Sequence, residues 1–566
     1  MAKNVAIGIQ SFDKLITENY FYIDKTLFIK EWWESGDDVT LITRPRRFGK
    51  TLNMSMVEQF FSISYADRGD LFEGLSIWRE EKYRNLQGTY PVISLSFAGI
   101  KEKGYALSRK KICQMITDLY VKYSYIKDSD VLTDTDRNFF NRILAENYDD
   151  TDATLALHKL SDFLMRYYGK KVIILLDEYD TPMQEAYIHG FWEELVAFTR
   201  SLFNATFKTN PYLGRAIMTG ITRVSKVSVF SDLNNLEVVT TTSDKYADVF
   251  GFTEKEVFDA LDERGLDKEK EKVKRWYDGF VFGKYRDIYN PWSILNFLDK
   301  KQYATYWANT SSNSLIGKLI REGGSEIKQS MEQLLKGEHF ICPIDEQIVY
   351  NQLDNNEEAI WSLLVASGYL KILSYEKIEK VQRRPNYELA LTNGEVRLMF
   401  EEMISGWFGR ERGNYNRFIS AMLAGDIEEM NEYMNEISCE IFSYFDTGKR
   451  VSKKAQPERF YHGFVLGLLV DLKERYQITS NRESGFGRYD IMLEPVNPQK
   501  DDAIIIEFKV FNARKEKTLE ETVASALAQI EQKQYEAILI GKGIPKEKIR
   551  KYAFAFEGKM VLIDGR

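Results

Sequence analysis

Gly49, Lys50 and Thr51 stand in a row between an apolar run, Val39 to Thr43, and a helical pattern, Leu52 to Ile63. A tight loop between strand and helix can turn its backbone N–H groups toward an anion, and the helix N-terminus adds partial positive charge. In such a loop Lys50 would reach the β- and γ-phosphates of ATP, and the Thr51 hydroxyl would join the coordination sphere of Mg²⁺. Arg46, Arg47, Phe48 and Gly49 would form the rest of the phosphate-binding loop. The pattern G-x-x-x-x-G-K-[ST] expects its first glycine where this chain has Arg44, so the same glycine-dependent turn is closed to it. Lys50 is expected on an exposed loop.

A second run, Lys171 to Leu176, is apolar and ends in acids, Asp177 and Glu178. Asp177 is placed to hold Mg²⁺ through water, and Glu178 to polarise the attacking water for hydrolysis. The bland alternative is an acidic helix cap; the phosphate loop upstream and an intervening strand weigh against it. Thr219, Thr222 and Arg223 follow the next apolar run, where a polar side chain can sense the γ-phosphate, with Thr219 and Arg223 assigned to the nucleotide site.

A third set lies near the C-terminus. Metal-assisted nucleases need carboxylates on adjacent strands converging on Mg²⁺, with a cation near the attacked phosphate. Asp490 and the Glu507-Phe508-Lys509 triplet supply these types, with Asp490 and Glu507 as ligands of Mg²⁺ or Mn²⁺. Alternation along a strand points Glu507 and Lys509 to one face. The strand is otherwise Ala503-Ile504-Ile505-Ile506-Phe508-Val510, and charges in so apolar a setting require partners. Glu458 can complete the acid cluster and Gln529 can steady it. His462 reads as a packed, hydrogen-bonded histidine, and the aromatics from Trp276 to Phe282 read as core rather than as a stacking platform.

The chain resembles the AAA-ATPase-like proteins that carry a PD-(D/E)XK nuclease-like C-terminal domain. The resemblance rests on Tyr22-Ile23-Asp24-Lys25-Thr26, on Thr43 through Thr51, on Leu176-Asp177-Glu178-Tyr179-Asp180 and on Thr219 through Ser225. Trp276-Tyr277-Asp278-Gly279-Phe280, Tyr289-Asn290-Pro291-Trp292, Phe460-Tyr461-His462-Gly463, Arg488-Tyr489-Asp490 and Ile506-Glu507-Phe508-Lys509 extend it. It implies ATP binding by an additional-strand P-loop fold, a loop in which Arg44 is a family trait, and a restriction-endonuclease-like tail.

The elements that must hold these residues are legible as patterns. Val39 to Thr43, Pro91 to Phe97, Val172 to Leu176 and Arg215 to Thr219 read as buried parallel strands separated by helices such as Phe191 to Phe203. Alternating strands and helices imply an α/β sheet with right-handed crossovers. The expected division is an AAA-like P-loop domain at 1–235, a mostly helical lid at 236–336, a mixed middle region of unclear class at 337–447 and a PD-(D/E)XK domain at 448–566. In the tail the pattern reads helix Pro457 to Arg475, strands Gln477 to Ser480, Arg488 to Leu493 and Ala503 to Val510, helix Leu519 to Gln534 and strand Glu536 to Ile540.

Composition sets the outer limits. A chain of 566 residues exceeds what one core serves, and 44% hydrophobic with 29% charged residues is a folded balance. Three scattered cysteines suggest neither disulfides nor zinc, so a reducing cytoplasmic setting is expected. No stretch has the length of a membrane span. The net charge is −8, yet residues 449–566 hold 22 Lys and Arg against 17 Asp and Glu, a local surplus of five. A nucleic-acid-facing tail is compatible with that asymmetry, and so is an ordinary charged surface; a homo-oligomer is a further expected partner state. The leading expectation is an ATPase coupled to a metal-dependent nuclease. The alternative is a nucleotide-dependent switch with a non-cleaving nuclease-like domain. A small-molecule kinase is the third reading, for which the sequence offers no acceptor site.

Overall fold

The computed structural model describes residues 3–222, 230, 233–308, 314–322, 325–345, 353, 357–375, 385–407, 412–442, 465, 469–472, 475–480, 483–484, 487–512, 516–557 and 560–565. It divides into two compact units, Met1–Leu319 with Gly337–Met399, and Ile320–Lys336 with Phe400–Arg566. Arg223, Glu458 and His462 lie outside the described residues.

The first unit is built on a parallel sheet of five strands: β1 (Val39–Thr43), β2 (Val92–Ser96), β3 (Val172–Asp177), β4 (Leu213–Gly220) and β5 (Leu236–Val239). Their order is β2-β3-β4-β1-β5, so β4 separates the loop-bearing strand β1 from the acid-bearing strand β3. Both β1 and β3 are buried at every position, as continuous apolar runs covered on two faces must be. Helix Asp150–Tyr168 delivers the chain to β3. Its Asp149 cap accepts from Asp152 N–H, and Gly169 ends it in the left-handed region at φ 68. Carboxyl ends of β1, β3 and β4 therefore meet at one edge, where ligands of open α/β sheets collect.

The segment expected as a mostly helical lid also contains a small sheet. β6 (Phe252–Thr253), β7 (Phe280–Phe282) and β8 (Tyr285–Tyr289) pair in the order β6-β8-β7. The aromatics of Trp276 to Phe282 are packing residues: Tyr277, Phe280 and Phe282 are buried and Trp276 lies against Tyr303. Short aromatic strands flanking a turn at Gly283 (φ 52) carry no sustained alternation, so the turn signal dominated the pattern. Farther on, β9 (Phe340–Pro343), β10 (Leu370–Tyr375) and β11 (Asn386–Leu391) form an antiparallel sheet in the order β10-β11-β9.

Glu395 ties this region together. Wholly buried, it accepts from Ser293 Oγ at 2.8 Å, Trp307 N at 2.5 Å and Ala308 N at 3.3 Å. Burial nevertheless pushes its carboxyl up to about 7 from an ordinary 4.5, against those hydrogen bonds. The folded protein then holds this proton to higher pH than the unfolded chain does. Stability is lost as pH rises from about 4.5 through about 7, by on the order of 3 kcal/mol for this group. Thermal unfolding of the full chain at pH 5.5 and pH 8 should show the wild type losing more stability between the two than Glu395→Gln. Parallel curves for the two proteins would contradict the assignment.

The second unit centres on a mixed sheet of β12 (Tyr476–Ser480), β15 (Ile491–Pro495), β16 (Ala503–Val510), β17 (Ile549–Glu557) and β18 (Met560–Gly565), in that order, beside a short hairpin of β13 (Glu483–Ser484) and β14 (Gly487–Arg488). β16 and β17 are parallel, the other pairs antiparallel. Helix Leu519–Gln532, capped by Thr518, packs on β16, β17 and β18. On the sheet's edge, Asn431 and Asn435 of helix Ile427–Phe442 bond the backbone N–H and C=O of Ile563 and Val561 at 2.7 to 3.0 Å. Two side-chain amides thus satisfy edge groups that would otherwise invite another strand. The expected strand at Glu536 to Ile540 is instead the helix Ala537–Gly541, and its place in the sheet belongs to β17. Among the described residues no helix is long and apolar enough to cross a membrane.

Candidate functional site

The loop from Arg44 to Gly49 makes its turn at Arg47 (φ 66) and Gly49 (φ 79), the latter just before helix Lys50–Phe61. Arg44, at the position where glycine is customary, sends its side chain inward. It is wholly buried and donates to Thr43 O at 2.9 Å and Thr240 O at 2.7 Å, with its guanidinium over the Phe282 ring at 4.7 Å. Burial lowers its pKa to about 9. Arg44 is therefore a tie between the loop and the segment after β5.

The other loop residues separate by environment. Phe48 is buried against Phe280 and Phe282, which leaves only its backbone N–H for a phosphate. Exposed Arg47 lies over the Trp292 ring at 4.3 Å, and Asn290 Nδ2 donates to Arg46 O at 3.2 Å. Arg46 donates from its guanidinium to Gln184 Oε1 at 3.2 Å. Lys50 is not on an exposed surface: it is 4% exposed, and Nζ donates to Arg44 O and Pro45 O, each at 3.0 Å. Burial lowers its pKa, while Glu178, Asp177 and Asp180 act in the opposite sense.

Asp177 closes the site from the β3 side. Thr51 Oγ1 donates to Asp177 Oδ2 at 2.7 Å, and Thr219 Oγ1 donates to Asp177 Oδ1. Burial raises the Asp177 pKa against these two bonds. The next residue, Glu178, sits at φ 50, its N–H bonded to Thr219 Oγ1 and its carboxylate accepting from Thr181 Oγ1, both at 3.2 Å. That left-handed backbone is uncommon for a residue with a side chain and turns the carboxylate off the strand direction. Asp180, which sequence reasoning quoted but gave no task, accepts from Ile221 N, Thr222 N and Thr222 Oγ1 at 2.9 to 3.0 Å and so fixes the loop after β4. Gly220 is required there: a Cβ would lie 2.6 Å from Tyr179 and 2.8 Å from Asp180. Lys50, Thr51, Asp177, Glu178 and Thr219 thus meet at one sheet edge, and the Thr51 and Asp177 oxygens are the hard donors that suit Mg²⁺.

In the second unit Ile491 pairs with Ile506, so Asp490 falls beside Glu507 across β15 and β16. Asp490 Oδ2 accepts from Phe508 N at 2.8 Å. Glu507 is buried, and its Oε1 accepts from Gln529 Nε2, which also donates to Tyr535 OH at 3.1 Å. Lys509 Nζ donates to Ser525 Oγ at 2.8 Å. Both Gln529 and Ser525 come from helix Leu519–Gln532, so the helix orients the acid and the cation together. Tyr535 was missed by sequence reasoning; burial, with Glu507 and Asp490 nearby, raises its pKa. The chemistry is again that of an oxygen-donor site for a hard divalent cation. Among the described residues, the acids that gather as a threesome within 4.8 Å are Glu254, Asp278 and Asp287. Lys274 pairs with Glu254 and lies 3.5 Å from Asp287, so that group already carries a counter-charge.

A parallel sheet whose β1 runs into the Gly49-Lys50-Thr51 loop, with the acid-ended β3 one strand removed across β4, fits a P-loop-like domain. The mixed sheet of the second unit fits a nuclease-like one. Comparison with known families agrees: residues 6–230 match the predicted AAA-ATPase family and residues 456–565 match the PD-(D/E)XK nuclease superfamily. The chain therefore joins an AAA-ATPase-like domain to a PD-(D/E)XK nuclease-like domain. Among curated proteins it is similar to an "Uncharacterized protein in vnfD 5'region" from Azotobacter chroococcum mcd 1, at 26% identity over 407 residues, covering 71% of this chain and 70% of that protein.

Proposed function

We propose that this protein binds and hydrolyses ATP at the β1–β3–β4 edge and couples that site to a metal-dependent nuclease acting on nucleic-acid phosphodiesters. One observation carries the nucleotide reading: Asp177 is hydrogen-bonded on its two oxygens to Thr51 of the phosphate-loop helix and Thr219 of β4. Loop, acid and sensing strand are thereby joined in a single cluster beside Lys50. In this reading Lys50 exchanges its loop carbonyls for the β- and γ-phosphates. Thr51 and Asp177 hold Mg²⁺, which when bound offsets phosphate charge. Glu178 accepts a proton from the attacking water, and Thr219 reads the terminal phosphate. Asp490 and Glu507 hold the divalent cation of the second site, while Lys509 orients the scissile phosphate.

Glu178→Gln tests the hydrolytic assignment. The amide can keep the contact with Thr181 but cannot take a proton, so ATP affinity should hold while turnover falls by roughly 10²-fold or more. Single-turnover hydrolysis of radiolabelled ATP beside a calorimetric titration measures both. Unchanged turnover would move the base elsewhere.

A further inference from the structure

Three arginines occupy the phosphate loop, and their surroundings give them different work. Arg44 is sunk among carbonyls and Arg47 rests on Trp292 at the surface. Arg46 borders a small cavity of about 40 Å³, which it shares with Gln184, Thr222, Trp307, Ser367 and Tyr369. Its lining places the cavity within the fold. Arg46 follows β1, Gln184 stands on helix Thr181–His189 after β3 and Thr222 follows β4, so the cavity adjoins the carboxyl edge of the sheet. The opposite wall, at residues 367–369, lies directly against the loop: a Cβ on Gly368 (φ 83) would come within 2.8 Å of Pro45 Cγ. Ile221, Leu315, Ile316 and Leu363 complete the lining, so Arg46 and Gln184 bring polar groups to an otherwise largely apolar wall. The Arg46 charge is also near enough to Lys50 to disfavour protonation of Lys50.

We propose that Arg46 is a catalytic residue that supplies, in cis, the positive charge on the terminal phosphoryl group, with Gln184 as its positioning residue. The proposal rests on the ATPase reading above. The water oxygen bonds to the γ-phosphorus, and the bond from that phosphorus to the β,γ-bridging oxygen breaks with its electron pair leaving on ADP. One water proton passes to Glu178. Charge that accumulates on the transferring group is met by Arg46, whose planar fork matches phosphoryl oxygens. Gln184 Oε1 accepts from the Arg46 guanidinium at 3.2 Å and restrains that fork.

The test uses the full chain as wild type, Arg46→Ala and Gln184→Ala. Turnover, ATP and ADP binding by calorimetry, and trapping of ADP with aluminium fluoride are measured. Arg46→Ala should lower turnover by about 10³-fold or more, keep ATP affinity within about tenfold, and lose the aluminium fluoride complex while retaining ADP. Added guanidinium should restore part of its turnover, which no purely structural role predicts. Gln184→Ala should lower kcat by about tenfold with KM unchanged. Arg46→Ala turnover within about threefold of wild type, or an affinity loss that matches the turnover loss, overturns the proposal. Wild type that binds ATP without turning it over overturns the Arg46 role alone. Wild type that fails to bind ATP overturns the nucleotide reading with it.

Discussion

Lys50→Ala is expected to weaken ATP binding by about 10²- to 10⁴-fold, because two charge-assisted contacts at about 1.5 to 3 kcal/mol each are lost. The burial of Lys50 changes how that experiment must be controlled. With Nζ bonded to Arg44 O and Pro45 O, alanine leaves two buried carbonyls without their donor and opens space under the loop. Each carbonyl costs on the order of 1 kcal/mol, so a lower unfolding temperature is expected alongside lost binding. Lys50→Met fills the same stem volume and separates the two effects. It should bind ATP as poorly as Lys50→Ala while regaining part of the stability. Calorimetric titration with Mg-ATP and thermal unfolding of both variants give the comparison, and ATP affinity within about tenfold of wild type would remove Lys50 from the phosphate site.

The strands around the candidate nucleotide site were legible because pattern and motif coincide there. Val39–Thr43 and Val172–Asp177 are mostly apolar, β-branched-rich strands buried at every position that end where the candidate residues begin, so pattern and motif point to the same place. Contacts across the sheet were not legible. Nothing in the local sequence joins Asp180 to Thr222, Gln184 to Arg46 or Asn290 to the Arg46 carbonyl, since each pair depends on strand order and lid packing. In the tail, β17 escaped notice because Lys551 interrupts its apolar pattern. The Lys551 side chain is 6% exposed and is satisfied by Glu531 and Glu536, partners that only the fold brings near. Ala537–Gly541 erred in the opposite direction: Glu536 to Ile540 looks like a strand, yet Ile538 and Ile540 are exposed and Leu539 is the one apolar side chain of that stretch that is buried. Short apolar runs do not distinguish a turn of helix from a strand.

The nuclease reading makes its largest demand on Asp490 and Glu507, and both can be altered with little disturbance to packing. Asparagine at 490 keeps an oxygen to accept from Phe508 N–H, and glutamine at 507 keeps one for Gln529. What each loses is a negative charge toward the cation, so Mn²⁺ binding should fail and cleavage should drop by at least about 10³-fold, with unfolding temperatures nearly unchanged. Lys509→Ala should part from them. Its ammonium bonds Ser525 and is no metal ligand, so Mn²⁺ should bind as well or better once a nearby positive charge is gone. Cleavage should still fall by about 10² to 10³-fold, because the phosphate has lost its orienting cation. The measurement is a Mn²⁺ titration with cleavage of plasmid, single-stranded DNA and RNA, with and without ATP, on wild type and the three variants. A wild type that binds no Mn²⁺ and cuts none of these substrates in either nucleotide condition would replace the nuclease reading with that of a nucleotide-dependent binding module. A Lys509→Ala protein that loses Mn²⁺ together with cleavage would show instead that the lysine holds Glu507 in place, through the helix that carries both Ser525 and Gln529.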